Sequence, residues 1–257
     1  MSYAARVLRT LALCVLLAAC ARVMRDPAEE ALGGVVVDDT GAPIEGATVV
    51  AASGASATAD ARGRFVIPGL RDGEPLEANA SGCFGAGGQA SSRGVLLRLE
   101  RVQAIEGRLV YRGRGVAEAR VEARPGGGGG AETAFTDAEG RFLVGGLRPG
   151  RQHLRVELPA QARAESGAFL VGPASLEEAA TAGTRGLTLV VPLGGSLAVT
   201  GEAGASMTLS GEGIAARRYP FDEQGAARFE AVPPGRYVVT VHGPKDAESY
   251  PVEVKAP

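Results

Sequence analysis

The sequence predicts an all-β fold, built as a tandem of small sandwiches of several short strands each. Three observations predict it. One turn-and-strand phrase is written three times. Short runs alternate apolar and polar residues with the period of a half-buried strand. The chain is also rich in turn formers, with 38 glycines and 15 prolines among 257 residues. Hydrophobic residues make up 45%, which excludes a disordered chain.

The first residues are an address. Arg6 and Arg9 precede an apolar run from Leu11 to Ala19, too short to span a bilayer. The run ends in Leu17-Ala18-Ala19-Cys20, which resembles the lipobox of bacterial lipoproteins. The resemblance implies a signal peptide over residues 1–19 and a diacylglyceryl group on the Cys20 sulfur. Ordinary signal cleavage after Ala21, releasing a secreted or periplasmic protein, is the alternative. Ala21, rather than Asp, follows the cysteine, which points to the outer membrane of the cell envelope. Residues 20–32 are then the lipidated cysteine and a tether. Cys14 departs with the leader and Cys20 is taken by lipid, so Cys83 has no intramolecular partner. Cys83 is expected to be a small buried apolar group.

From Gly33 the text becomes strand, turn, strand. Val35 and Val37 are expected to share one strand face, and Ala47 and Val49 alternate on the next. "DDTGAP" between them is turn chemistry. The repeated phrase starts with D-x-x-G: Asp60 before Gly63, Asp137 before Gly140, Asp222 before Gly225. Apolar residues follow each glycine at matching offsets, giving Phe65, Ile67 and Leu70, then Phe142, Val144 and Leu147, then Ala227, Phe229 and Val232. A second glycine ends each copy, at Gly73, Gly150 and Gly235. The first two apolar steps have period two and read as a strand with one face in a core. Further strands are expected at 76–80, 154–158 and 237–241. Runs from Arg93 and Arg185 read as closing strands of the first two units, and Tyr250, Val252 and Val254 as that of the third.

Gly63, Gly140 and Gly225 stand 77 and 85 residues apart, which exceeds solenoid periods and suits independent modules. The expected boundaries are 33–101, 102–193 and 194–257. Two segments interrupt the second module. "RPGGGGG" at Arg124–Gly130 is a flexible loop. Residues 160–184 are an insertion outside the sandwich, with Ser175 and the following Leu-Glu-Glu forming a capped helical turn.

These phrases resemble the carboxypeptidase regulatory-like domain. "GGVVVDDTGAPIEGATVVA" with "ADARGRFVIPGL" carries the likeness best, and "IEGRLVYRGRGVAEARVEA" with "TDAEGRFLVGGLRPG" follows. The third unit is degenerate, because "GEAGASMTLSGEG" lacks the usual G-x-P-x-x-G-A turn. The resemblance implies prealbumin-like (transthyretin-like, Ig-like) β-sandwiches of about seven strands. It also implies modules that accompany other activities without carrying the chemistry.

Few residues suggest chemistry. His153 and His242 have no metal-spaced neighbours. "GGGGG" lacks the Lys-Ser/Thr of a phosphate loop. Asp38, Asp39, Asp60, Asp137 and Asp222 could ligate calcium, but turn capping is the expected role, because no close run of alternating acids occurs. The net charge is −2. Losing Arg6 and Arg9 with the leader leaves 25 basic groups against 29 acidic, which gives nothing to attract nucleic acid. Aromatics are 5% and tryptophan is absent, which disfavours sugar-stacking platforms. Tyr219, Phe221 and Tyr237 are the aromatics that a carbohydrate-binding reading would need.

The expectation is therefore a non-enzymatic, membrane-anchored envelope lipoprotein, its modules a structural or protein-interaction scaffold. No catalytic residue, metal or cofactor is expected, and its binding residues are unassigned. The lipid on Cys20 contacts the membrane, and an envelope protein is the expected partner. The alternatives are a carbohydrate- or peptide-binding surface module, or an accessory subunit of an envelope complex. Exposed sheet edges are a further place where a peptide strand could add.

Overall fold

A computed structural model describes residues 32–243 and 246–256. The signal peptide, Cys20 and residues 21–31 lie outside the described residues. Among the described residues every regular element is a β-strand. The chain divides into two compact units, the first ending at Arg101 and the second starting at Val102.

The first unit is one sandwich of eight strands: β1 (Leu32–Asp38), β2 (Thr48–Ala51), β3 (Ser56–Thr58), β4 (Arg64–Ile67), β5 (Pro75–Asn79), β6 (Cys83–Phe84), β7 (Ala86–Gln89) and β8 (Val95–Arg101). Leu32, read from sequence as tether, is already part of β1. One sheet runs β4-β1-β8-β6 and the other β3-β2-β5-β7. Strands β1 and β8 pair in parallel, so the closing strand lies beside the opening one. Their facing residues Val36, Leu97 and Leu99 are at most 2% exposed. Val35 and Val37 share one face of β1, as expected, and Val36 points the other way. Val36 joins the core cluster, while Val35 and Val37 do not. Val37, on the opposite face, is nonetheless 7% exposed, so the alternation of burial is lost toward the end of β1.

The repeated phrase has one structural meaning in all three copies. The Asp carboxylate closes a tight turn by accepting two backbone N–H groups. In each copy Oδ1 accepts from positions two and four residues on: Arg62 and Arg64 for Asp60, Glu139 and Arg141 for Asp137, Gln224 and Ala226 for Asp222. The glycine then lies against the opening strand of its own module. Gly63, Gly140 and Gly225 have φ of 71°, 79° and 69°. A Cβ on them would come within 2.3 Å of the carbonyl oxygen of Val36 or Leu109, or within 2.2 Å of that of Gly201. Only glycine fits that conformation and that approach. All nine apolar positions that follow are buried, none more than 5% exposed.

The second unit holds two sandwiches. The first of them comprises β9 (Gln103–Tyr111), β10 (Arg114–Gly115), β11 (Arg120–Pro125), β12 (Glu132–Phe135), β13 (Arg141–Leu147), β14 (Arg151–Glu157), β16 (Leu176–Thr181) and β17 (Leu187–Val190). Its opening strand β9 pairs antiparallel with β13 and parallel with the closing strand β17. The other sheet runs β12-β11-β14-β16. The third sandwich comprises β18 (Gly195–Thr200), β19 (Ser206–Gly211), β20 (Ile214–Pro220), β21 (Ala226–Val232), β22 (Gly235–His242) and β23 (Ala247–Val254). It also receives β15 (Phe169–Leu170) from the insertion.

Two expectations are corrected here. Residues 176–181 form no helical turn; they pair antiparallel with β14, with Glu177 and Glu178 opposite Arg155 and Leu154. Edge pairing overrides the local capping signal. Nor does the insertion lie outside the sandwiches. β15 pairs parallel with β21, and its two residues point opposite ways. Phe169 enters the third core, where its ring centroid lies 4.8 Å from that of Tyr219. Leu170 enters the second core. Across the pair, Ala231 belongs to the second core and Val232 to the third. One strand pair therefore serves two cores.

Candidate functional site

Where β15 meets β21, a cleft of about 540 Å³ opens between the second and third sandwiches. Glu230 lines it. Main-chain bonds set its position, because Val171 donates to the Glu230 carbonyl at 3.1 Å and Gly172 to that of Ala231 at 3.0 Å. Ser166 donates its hydroxyl to Glu230 Oε1 at 2.6 Å, and Tyr111 donates to Oε2 at 3.1 Å. Arg112 Nη1 lies 3.5 Å from the same oxygen. Arg163 covers the Phe169 ring at 3.8 Å and donates to the Gly167 carbonyl at 2.7 Å.

The Ser166 hydroxyl chiefly holds the Glu230 carboxyl below its ordinary range, with Tyr111 and Arg112 adding to it against the opposing effect of burial. Burial first, and Glu230 second, push the Tyr111 phenol up. A carboxylate so stabilised stays ionised at neutral pH and is a poor proton donor. The cleft thus works as a latch between two sandwiches. Sequence reasoning missed it. Glu230 sits inside the apolar run of β21, and its partner Tyr111 is 119 residues away, so no local spacing marks the pair.

The predicted residues fall elsewhere. Asp60, Asp137 and Asp222 cap their own turns, as described above. Asp38 is 2% exposed and caps another. Its Oδ1 accepts from the Thr40 hydroxyl at 2.6 Å and from the Thr40 and Ala42 amides at 3.0 and 2.9 Å. Its Oδ2 takes Arg101 Nε at 2.7 Å. Thr40 and then Arg101 pull its pKa far below the usual carboxylate range. Cys83 is a free thiol, only half-buried against the first core, because β6 lies at the edge of its sheet. His153 is exposed on β14, and His242 shares a 2.8 Å hydrogen bond with Thr208. Tyr219, Phe221 and Tyr237 are between 1% and 5% exposed and build the third core. They cannot stack on a sugar.

A family profile described as "Carboxypeptidase regulatory-like domain" matches residues 31–83 and 104–182. No curated protein sequence matches the chain. Among solved structures, the Bacillus anthracis TIE protein is similar at 16% identity and a TM-score of 0.30 over 88% of this chain. The match takes in 48% of that protein, so this chain spans about half its length. The minor pilin GBS52 of Streptococcus agalactiae is similar at 14% identity and a TM-score of 0.36, covering 62% of this chain and 94% of its own. BcpA, the major pilin subunit of Bacillus cereus, is similar at 10% identity and a TM-score of 0.21, covering 88% and 95%.

Proposed function

Because the chain belongs to the carboxypeptidase regulatory-like domain family, we propose that it is a non-enzymatic, membrane-anchored envelope lipoprotein. Its β-sandwich modules serve as a structural or protein-interaction scaffold. The observation that carries the reading is the use made of the carboxylates. Asp38, Asp60, Asp137, Asp222 and Glu230, the acids best placed for chemistry, hold turns or a junction together. The anchor is the diacylglyceryl group on Cys20, and two or more acyl chains hold a protein on a membrane durably at about 0.8 kcal/mol per buried methylene. Ala21 after that cysteine favours the outer membrane. No nucleic-acid partner is proposed, since the chain carries a net charge of −2.

Cys20→Ala tests the anchor. It should abolish incorporation of labelled palmitate and move the protein out of the membrane fraction; label that persists overturns the lipoprotein reading. Scaffold and enzyme separate in a turnover assay of the purified chain on peptide and glycoside substrates. Turnover that one point substitution removes would overturn the scaffold reading.

A further inference from the structure

Among the described residues, the third sandwich shows no strand at a position that is filled in the other two. In the first sandwich β8 closes the opening-strand sheet by pairing parallel with β1, and in the second β17 does the same beside β9. The third sandwich was expected to close with Tyr250, Val252 and Val254. Those residues do form β23, but β23 pairs antiparallel with β22 in the other sheet. That is the position of β7 in the first sandwich and β16 in the second. Among the described residues nothing pairs with the outer edge of β18, which ends the order β15-β21-β18.

The open edge is visible in the burial of its neighbours. Counterparts can be aligned on the turn glycines, because Val36, Leu109 and Gly201 each donate to the carbonyl of Gly63, Gly140 or Gly225. Ile105 on β9 is fully buried, whereas its counterparts Leu32 on β1 and Leu197 on β18 are both only partly buried. Ala78 on β5 and Val156 on β14 are at most 1% exposed, yet their counterpart Val241 on β22 is only partly buried. Between the two sheets lies a groove of about 750 Å³, whose apolar lining includes Leu197, Val199, Val241 and Val252. The backbone offers a matching ladder. Gly201 donates toward β21 at 2.8 Å, so by strand alternation the amides of Thr200 and Ala198 face the open side.

The rim charge fits the same occupant. In the first sandwich the C-terminal end of the closing strand is basic. Arg101 pairs with Asp38 at 2.7 Å, and Arg98 donates to the Asp39 carbonyl at 3.1 Å. At the corresponding end of the open groove, the charged residues among its described lining are Glu202, Asp246 and Glu248.

We propose that this groove accepts a β-strand from a partner polypeptide, added parallel to β18. The strand carries aliphatic side chains two residues apart, as Leu97 and Leu99 do on β8, and a basic residue at its C-terminal end. The inference rests on the interaction-scaffold reading and is independent of the lipid anchor.

The test is fluorescence anisotropy of the purified full chain with a labelled peptide, RGVLLRLER, the sequence of residues 93–101. Saturable one-to-one binding is expected. Replacing both inward leucines of the peptide by Asp should weaken it at least tenfold. Thr200→Pro should weaken it similarly, since proline removes an outward amide at a position where an edge strand tolerates it. Should Thr200→Pro fail to fold, the paired peptides still decide the matter. Absence of binding, or equal binding of both peptides, overturns the proposal. So does equal binding by a natively melting Thr200→Pro chain, or a concentration-dependent dimer of the chain that excludes the peptide, since the occupant would then be a second copy. A glycan or palmitate result leaves this test unaffected, so its failure is distinguishable from failure of the scaffold reading.

Discussion

The first and third sandwiches share the same repeated phrase and the same turn, yet one is closed and the other open. In the first, β1 lies between β4 and β8, and Arg101 fastens the end of the closing strand to Asp38. In the third, β18 pairs among the described residues with β21 alone. What differs is a strand outside the repeated phrase. The phrase supplies the turn, the glycine contact and one core strand. It leaves the second edge of the opening strand to sequence far downstream. A module can therefore keep its signature and lose its closure. That is how a scaffold domain can become a receptor for a strand without any catalytic group.

The largest expected effect asks whether the phrase means the same thing in each sandwich. Phe142→Ala should destabilise the second sandwich by about 3 to 5 kcal/mol, and Phe65→Ala and Phe229→Ala should cost as much in the first and third. The three rings are at most 3% exposed. Urea unfolding measures this, with one practical consequence of composition. Of the five tyrosines, Tyr3 lies within the expected signal peptide and Tyr111, Tyr219, Tyr237 and Tyr250 follow Arg101, so tyrosine fluorescence of the chain without its leader reports the second unit, and the first needs circular dichroism. A loss below about 1 kcal/mol at any of the three would mean that its copy of the phrase is not a core strand.

The next effect goes directly to closure. Leu97 is 2% exposed on the closing strand β8, and Leu197 is partly buried on the edge strand β18. Leu97→Ala should cost about 3 kcal/mol and Leu197→Ala about 1. Saturating peptide should raise the cost at Leu197 toward that at Leu97, because an added strand would bury it. Equal costs without peptide would remove the contrast between closed and open sandwiches.

The sequence foreshadowed the parts of this comparison that are written locally. The matching offsets after each D-x-x-G marked nine apolar positions, six of them in period two, and all nine are buried. The Asp caps were legible too, because an Asx turn needs only the four residues that follow it. What escaped were contacts made over long separations. Glu230 and Tyr111 meet only because β15 crosses to β21, and the two residues of β15 carried no alternation long enough to read. The swapped place of β23 escaped for a related reason. Its alternating Tyr250, Val252 and Val254 specify a strand with two faces and say nothing about which sheet it joins.

The junction sets a smaller effect, and pH gives it a sign. Glu230 has its pKa lowered from an ordinary 4.5. Its stabilisation is therefore fully present above that value and is lost as pH falls through the folded-state value. Glu230→Gln should cost about 1 to 2 kcal/mol at pH 7, from weakened charge-assisted hydrogen bonds to Ser166 and Tyr111. The gap between wild type and variant should close in acid. A gap that is constant with pH would mean that the carboxylate charge does not hold the two sandwiches.

The smallest expected effect concerns one methyl group beside that latch. Six residues after the turn glycine, the first two sandwiches have Gly69 and Gly146, with φ of 72° and 76°. The third has Ala231 in the same left-handed region, at 55°. An alanine there costs about 1 kcal/mol relative to glycine. The Ala231 side chain is also 2% exposed in the core of the second sandwich, where a buried methyl contributes about 0.8 kcal/mol. The terms oppose, so Ala231→Gly should change stability by less than about 1 kcal/mol. At Gly69 a Cβ would meet nothing within 4 Å, so Gly69→Ala should simply lose about 1 kcal/mol. If Ala231→Gly were instead stabilising by the full strain, its methyl would contribute nothing to the junction. If it were strongly destabilising, the junction would depend on that methyl more than on the Glu230 carboxylate.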